Sequence, residues 1–172
     1  MYEQQIFPLI TQEVRRRLFE ESVSRVKKCL NMLSEDQVWA RPNDSLVSIG
    51  NLVLHCMGNA RQWLGTGLGG LQDNRKRDDE FEQKGPIPTS HLIDMLEDLE
   101  EELEGVLQKL SPEDLVKPIR IQGFEENGMS ILIHVIEHFS YHVGQISVHT
   151  KLLLNTDLGY YDSLDLNITG SK

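Results

Sequence analysis

Apolar and polar residues recur with a helical period along four long stretches of the chain. In residues 9–34 the apolar side chains follow one another every three or four positions. This spacing is typical of an amphipathic helix that buries one face. Similar patterns predict helices over residues 45–65, 89–110 and 130–154. The last of these is apolar almost all round, so we expect it to lie at the centre of the fold.

The segments between these helices complete the predicted architecture. Residues 65–88 combine glycines, a charged run over residues 73–82 and two prolines. This segment is long for a connection between bundle helices, so it is either a crossover or a functional loop. Residues 119–124 alternate briefly and allow a short extended piece. The pattern predicts an all-α, up-down four-helix bundle with a long crossover loop, as one domain over residues 1–172 with a C-terminal tail from residue 155.

Composition narrows the class of protein. The 172 residues include 17 Lys and Arg against 27 Asp and Glu, which gives a formal net charge of −10. We therefore expect no nucleic-acid partner and no anionic membrane partner, because both favour clustered basic surfaces. No apolar run reaches the roughly 18 residues of a membrane span, and no signal-peptide pattern begins the chain. Two cysteines far apart in the chain fit reduced thiols, so we expect a cytoplasmic protein.

Histidines supply the candidate chemistry. Four of the six histidines fall in the last predicted helix, and His134, His138 and His142 follow one another at intervals of four. Two adjacent imidazoles at this spacing can bind one ion, whereas His134 and His142 lie about 12 Å apart along the helix axis. A site with three ligands therefore needs one adjacent pair and a residue from another helix. His55 is the candidate, because it lies in an apolar segment where a buried histidine needs a partner.

Two motifs carry a resemblance to a known family. The segment Ser48–His55, with Trp63 after it, resembles the second helix of the DinB-like superfamily, and residues 138–146 resemble its H-x-x-x-H-x-G-Q motif. The resemblance covers about residues 10–154. It implies a four-helix bundle that binds a divalent metal ion, often zinc or nickel, through three histidines. Carried over to this chain, the implied ligands are His55, His138 and His142.

The resemblance also implies the kind of function. The better-understood relatives use low-molecular-weight thiols as cofactors, although this chain is similar to an uncharacterised branch. We therefore expect a metal-dependent transferase or hydrolase that acts on a small-molecule substrate. Gln145 and His134 are candidates for contacts with the ligands or the substrate. The alternative is a non-catalytic bundle that is stabilised by a metal or senses one, and that forms a homodimer through an apolar helix face.

A competing motif overlaps the same helix. Residues 134–138 match H-x-x-E-H, the pattern of inverted zincin peptidases, in which His134 and His138 would bind zinc and Glu137 would act as the general base. Only three positions are specified, and no helix with a further glutamate ligand is expected after residue 154. A peptidase is therefore the remote alternative.

Overall fold

The first predicted helix is one long rod with a π-helical middle. The structure, a computed structural model, describes residues 3–170. The rod consists of α1 (Glu3–Arg15), the π-helical segment π1 (Arg16–Val23) and α2 (Ser24–Met32). Both junctions keep helical backbone angles, so the three segments form a single element. It begins at Glu3 instead of residue 9 and includes Pro8.

A second rod carries the first candidate ligand. It joins α4 (Ile49–Ala60) to π2 (Arg61–Leu68), so the helix continues three residues beyond the predicted end. Ser48 caps its N-terminus: the Ser48 hydroxyl accepts from the Asn51 N–H at 3.1 Å, and Asn51 Oδ1 accepts from the Ser48 N–H at 3.2 Å. This reciprocal arrangement satisfies two backbone donors that a helix leaves unpaired.

The other two long helices are α6 (Thr89–Leu107) and α8 (Gly128–Leu154). Pro88 occupies the cap position of α6, and no side chain caps the helix. The fixed φ of proline sets the turn into α6 instead. Asn127 and Ser130 form a reciprocal cap at the start of α8, which ends at Asn155 in the left-handed conformation.

Shorter elements fill the connections. Three are helices that the periodicity did not reveal, because each has fewer than two turns: α3 (Glu35–Trp39), α5 (Arg77–Glu82) and α7 (Pro112–Val116). The expected extended piece is a hairpin of two antiparallel strands, β1 (Pro118–Ile121) and β2 (Phe124–Asn127). Gln122 and Gly123 form its turn, and both have positive φ. A two-residue turn of this kind matches the twist of the strands.

The long helices bury a shared apolar core, and α8 packs against α2, π1, α4 and π2. The largest fully buried side chains of this core are Leu18, Leu30, Ile49, Leu64, Leu92, Leu96, Leu99, Leu103, Ile131, Leu132, Phe139 and Ile146. One face of α8 nevertheless faces solvent, since Ile133, Val148 and Leu152 are 56%, 56% and 76% exposed. The apolar character of α8 therefore exceeds what its packing requires. Within residues 3–170, no helix is both long and apolar enough to cross a bilayer.

Candidate metal centre

Three histidines meet between α4 and α8. His55, His138 and His142 each direct one ring nitrogen into a group whose atoms all lie within 4.8 Å of one another. His55 Nε2 is 3.1 Å from His138 Nε2. Three nitrogens bound to one tetrahedral ion at ~2.1 Å would lie roughly 3.4 Å apart, so the group needs only small side-chain movements to hold an ion. The structure thus brings together one adjacent pair on α8 and one histidine from another helix.

Burial determines the charge state of His138 and His142, the two candidate ligands on α8. Burial, together with repulsion from the imidazoles of His142 and His55, lowers the pKa of His138 to about 3. Burial also lowers the pKa of His142, although the hydrogen bond with Gln145 acts in the opposite direction. Both rings are therefore neutral at pH 7, and a neutral imidazole is the form that binds a metal ion.

One ring nitrogen of the three-histidine group lacks a hydrogen-bond partner within the described chain. Nδ1 of His138 is buried and has no hydrogen-bond partner among residues 3–170. A buried polar atom without a partner costs about 1–3 kcal/mol, so native structures seldom keep one without a reason. An ion bound at Nε2 of His138, which faces His55, would leave Nδ1 without a partner, so the fit to a metal rests on the donor set: three imidazoles suit a transition-metal ion.

Gln145 orients one ring. Its side-chain oxygen lies 2.8 Å from Nδ1 of His142, three residues earlier on α8, and accepts the hydrogen carried by that nitrogen. The lone pair of His142 is then on Nε2. Gln145, a candidate from the sequence for contacts with the ligands or the substrate, thus lies against His142.

His134 lies beside the three-histidine group and not within it. Its ring stacks on Trp63 with centroids 3.7 Å apart, and its Nε2 lies 3.2 Å from Nδ2 of Asn59, which donates to it. Burial lowers the pKa of His134. The group that can hold an ion therefore joins His138 to His142 and His55, and not to His134. This arrangement disfavours the pairing that an inverted zincin peptidase requires.

The sequence did not reveal the partner of His55. Glu80, from α5 in the segment between the second and third long helices, accepts a hydrogen bond from His55 Nδ1 at 2.8 Å. Arg75 holds the same carboxylate with two hydrogen bonds, from Nε at 2.7 Å and from Nη2 at 2.9 Å. The Arg75 and Glu80 side chains are only 5% and 9% exposed. In the sequence both residues belong to a charged run that is typical of a solvated linker. No pattern therefore marks them as partners of His55.

Contacts with α4 hold this carboxylate in place. The Asn51 side-chain amide donates to the backbone oxygens of Glu80 and Gln83 at 2.9 and 2.8 Å. Gly58 admits the carboxylate, because a Cβ at this position would lie 2.0 Å from Glu80 Oε1. Burial alone would raise the pKa of Glu80, but the hydrogen bonds from His55 and Arg75 outweigh it and hold the pKa below its usual value. Glu80 is therefore ionised and accepts hydrogen bonds only.

A solvent-connected cavity of about 340 Å³ adjoins the histidines. Besides His55 and His138, its walls include Asn59, Trp63, Gln122, Phe124 and His134. The hairpin contributes Gln122, Phe124 and Glu126, so its turn and β2 form one wall of the cavity. A small molecule in it would contact both aromatic surfaces and hydrogen-bonding groups.

The fold is shared with solved structures of other proteins. The structure resembles a DinB-like protein from Bacillus cereus, with a TM-score of 0.62 and 17% identity, over 78% of this chain and 87% of that one. It also resembles a DinB-like protein from Bacillus subtilis, with a TM-score of 0.66 and 18% identity, over 89% of this chain and 96% of that one. The protein therefore has the fold of these DinB-like proteins, in agreement with the resemblance that the two sequence motifs carry.

The sequence also matches a particular protein family. The family described as "Protein of unknown function (DUF1572)" matches residues 10–164, and the chain belongs to it. No curated protein matches the sequence significantly. The match extends ten residues beyond α8 and so includes part of the predicted C-terminal tail.

Proposed function

We propose that the protein binds one divalent transition-metal ion through His55, His138 and His142 and uses it as a metal-dependent enzyme. The convergence of the three ring nitrogens within 4.8 Å carries this proposal. Imidazole ligands suit zinc and nickel, which are the ions we propose. We also propose that the four long helical stretches form the up-down bundle, with residues 69–88 as its crossover.

Access to the site favours catalysis over a structural role. Structural zinc sites are closed by four protein ligands, whereas catalytic sites keep a position for water or substrate. Within the described chain, the group contains no fourth His, Cys, Asp or Glu, and the cavity begins at His55 and His138. Held by these three histidines, a divalent ion would supply Lewis-acid chemistry that makes a water or a thiol nucleophilic at neutral pH.

The chain's own residues would bind and orient the reactants. Gln145 and Glu80 hold the rings of His142 and His55 in place. Trp63 and Phe124 offer apolar surface to a small-molecule substrate, since both line the cavity. The reaction we propose is transfer of a low-molecular-weight thiol to an electrophilic substrate, or hydrolysis of such a substrate.

A metal-stabilised or metal-sensing homodimer is the second candidate function. Ile6, Leu9 and Ile133 are 52%, 62% and 56% exposed. They line an apolar groove between α1 and α8. Exposed apolar patches of this kind mark interaction surfaces in soluble proteins. A dimer of this kind would require the metal site but not the cavity.

Metal content tests the proposed site. Untagged protein purified without added metal should contain close to one equivalent of zinc or nickel. A His138→Ala variant should lose it, whereas His91→Ala should retain it because His91 is exposed on α6. Wild-type protein that contains no metal and takes up neither added ion would refute the site.

An activity assay separates the two candidate functions. Metal-loaded protein is incubated with a small thiol and an electrophilic acceptor, and the thioether product is measured. Hydrolysis of activated esters and amides is measured in parallel. Catalysis that His138→Ala abolishes supports the enzyme. A protein that binds metal stoichiometrically, dimerises and catalyses neither reaction supports the second candidate.

A further inference from the structure

The buried ion pair between Arg75 and Glu80 reaches the candidate metal centre from outside the helices that carry the ligands. We propose that Glu80, clamped by Arg75, is a positioning residue that keeps the hydrogen of His55 on Nδ1 and thereby presents the Nε2 lone pair to the metal ion. This inference rests on the proposed function, because it assigns to the crossover segment a role in the affinity of that same site.

Hydrogen bonding determines the tautomer. A neutral imidazole carries its hydrogen on only one nitrogen, and the partner of each nitrogen decides which. The Glu80 carboxylate can only accept, so the facing His55 Nδ1, at 2.8 Å, must donate. Arg75 Nη2 also lies 3.2 Å from this nitrogen and has two hydrogens, one of which it donates to Glu80 at 2.9 Å. The carboxylate contact is the shorter one, and a lone pair on Nδ1 would face the negative oxygen of Glu80 there, so Nδ1 carries the hydrogen. Nε2 of His55 is consequently left as the acceptor, and it faces His138.

Arg75 offsets the cost of burying the Glu80 carboxylate. An ionised carboxylate removed from water is costly unless it is paired and hydrogen-bonded. The two hydrogen bonds from the guanidinium fork supply both requirements, and Nη1 of Arg75 additionally donates to Gln62 Oε1 at 2.9 Å. Arg75 is thereby attached to π2 while Glu80 is attached to α4. The pair is a fixed part of the site and not a surface ion pair.

Carboxylates behind metal-binding histidines act on affinity. They fix the ring orientation, raise the basicity of the ligating nitrogen, and their loss weakens metal binding by about 10–100-fold. In this chain the carboxylate is delivered by a segment that contributes no ligand. The affinity of the site for its ion therefore depends on the folding of residues 75–80 onto α4.

The test measures the tautomer and the affinity separately. Long-range ¹H–¹⁵N correlation spectra of the metal-free protein report which nitrogen of His55 carries the hydrogen. Zinc affinity is measured by competition with a chromophoric chelator. Both are recorded for wild type, Glu80→Gln and the matched control Glu102→Gln, which removes a more exposed carboxylate that pairs with Arg61. Urea unfolding of each variant verifies that it folds.

We expect wild-type His55 to carry its hydrogen on Nδ1. In Glu80→Gln the amide offers its oxygen to Arg75 and its NH₂ group to His55, so the hydrogen should move to Nε2. Zinc affinity should fall at least tenfold. Glu102→Gln should change neither measurement.

Two results would overturn the proposal. The first is a wild-type His55 with its hydrogen on Nε2, which requires no variant to fold. The second is a folded Glu80→Gln protein with wild-type zinc affinity. A wild-type protein that shows the expected tautomer but binds no zinc refutes the proposed metal site instead, so the two failures are distinguishable.

Discussion

The candidate metal centre has two halves: the α8 half, with His138 and His142, and the α4 half, with His55. The two halves orient their histidines in different ways. On α8, His142 is held by Gln145, which lies three residues further along the same helix. On α4, His55 is held by Glu80, which lies 25 residues away in the crossover segment. Helix geometry alone provides the first contact, whereas the second exists only after the crossover has folded onto α4. The α8 half is thus local, and the α4 half depends on tertiary structure.

The two halves also differ in charge. The partner of His142 is a neutral amide, and the partner of His55 is a carboxylate whose own counter-ion, Arg75, is buried with it. Hydrogen bonds to charged groups are roughly twice as strong as neutral ones. A change in the crossover should therefore weaken the α4 half while leaving the pair on α8 intact.

Removal of a ligand from either half should have the largest effect. We expect His55→Ala and His142→Ala each to weaken zinc binding by roughly 100-fold or more, because a site of three ligands does not survive with two. His134→Ala should weaken binding by less than about tenfold, since His134 lies outside the group. Isothermal titration calorimetry measures all three. If His134→Ala abolished binding and His142→Ala did not, the ion would instead use the pairing of an inverted zincin.

Removal of Arg75 should destabilise the α4 half through the charge it leaves behind. Arg75→Met keeps the unbranched stem of the side chain but leaves Glu80 buried without its counter-ion, and such changes cost about 3 kcal/mol. Urea denaturation with a chelator present measures the free energy of unfolding. Arg61→Met is the matched control: it removes an ion pair with Glu102 that is more exposed. This control should cost less than about 1 kcal/mol. Equal losses in the two variants would contradict a buried pair.

Acid should destabilise the metal-free protein through the α8 half. The pKa of His138 is lowered to about 3 in the folded protein, below its value of about 6.5 in an unfolded chain. Between these values the unfolded chain binds a proton that the folded protein does not, so stability is full above pH 6.5 and falls as the pH decreases towards 3. The lowered pKa of His142 acts in the same direction.

The contribution of one ring can be isolated. His138→Gln should reduce the slope of unfolding free energy against pH between pH 6 and 4 by at most about 1.4 kcal/mol per pH unit, the value for one proton. Chemical denaturation at several pH values gives both slopes. An unchanged slope in the variant would mean that His138 is not the residue that titrates on unfolding.

Two glycines offer the smallest and sharpest comparison of the halves. A Cβ at Gly58 on α4 would meet the Glu80 carboxylate, whereas a Cβ at Gly144 on α8 meets nothing within 4 Å. Gly58→Ala should therefore displace Glu80 and weaken zinc binding by about tenfold. Gly144→Ala should leave binding unchanged and stabilise the helix by about 0.5–1 kcal/mol. Chelator competition and urea denaturation distinguish the two, and equal zinc affinities would show that Gly58 does not admit the carboxylate.

Much of the helical architecture was predictable because it follows from periodicity. The four long helices lie where the apolar pattern predicted them. The start of the first rod, the cap of α6 and the three short helices were not predicted, because they depend on backbone contacts or on fewer than two turns. The single-domain organisation and the homodimer stay predictions.

The sequence by itself determined the α8 half of the site. An interval of four residues on a helix places His138 and His142 on one face, and Gln145 lies one turn beyond His142, whatever the rest of the chain does. The sequence also named His55 as the candidate third ligand, but only the tertiary structure brings His55 to this pair, leaves His134 outside it and places Glu80 and Arg75 against His55. The physical reason is that charged residues in a linker look solvated until their desolvation is offset by partners distant in sequence, and only the folded chain brings those partners together.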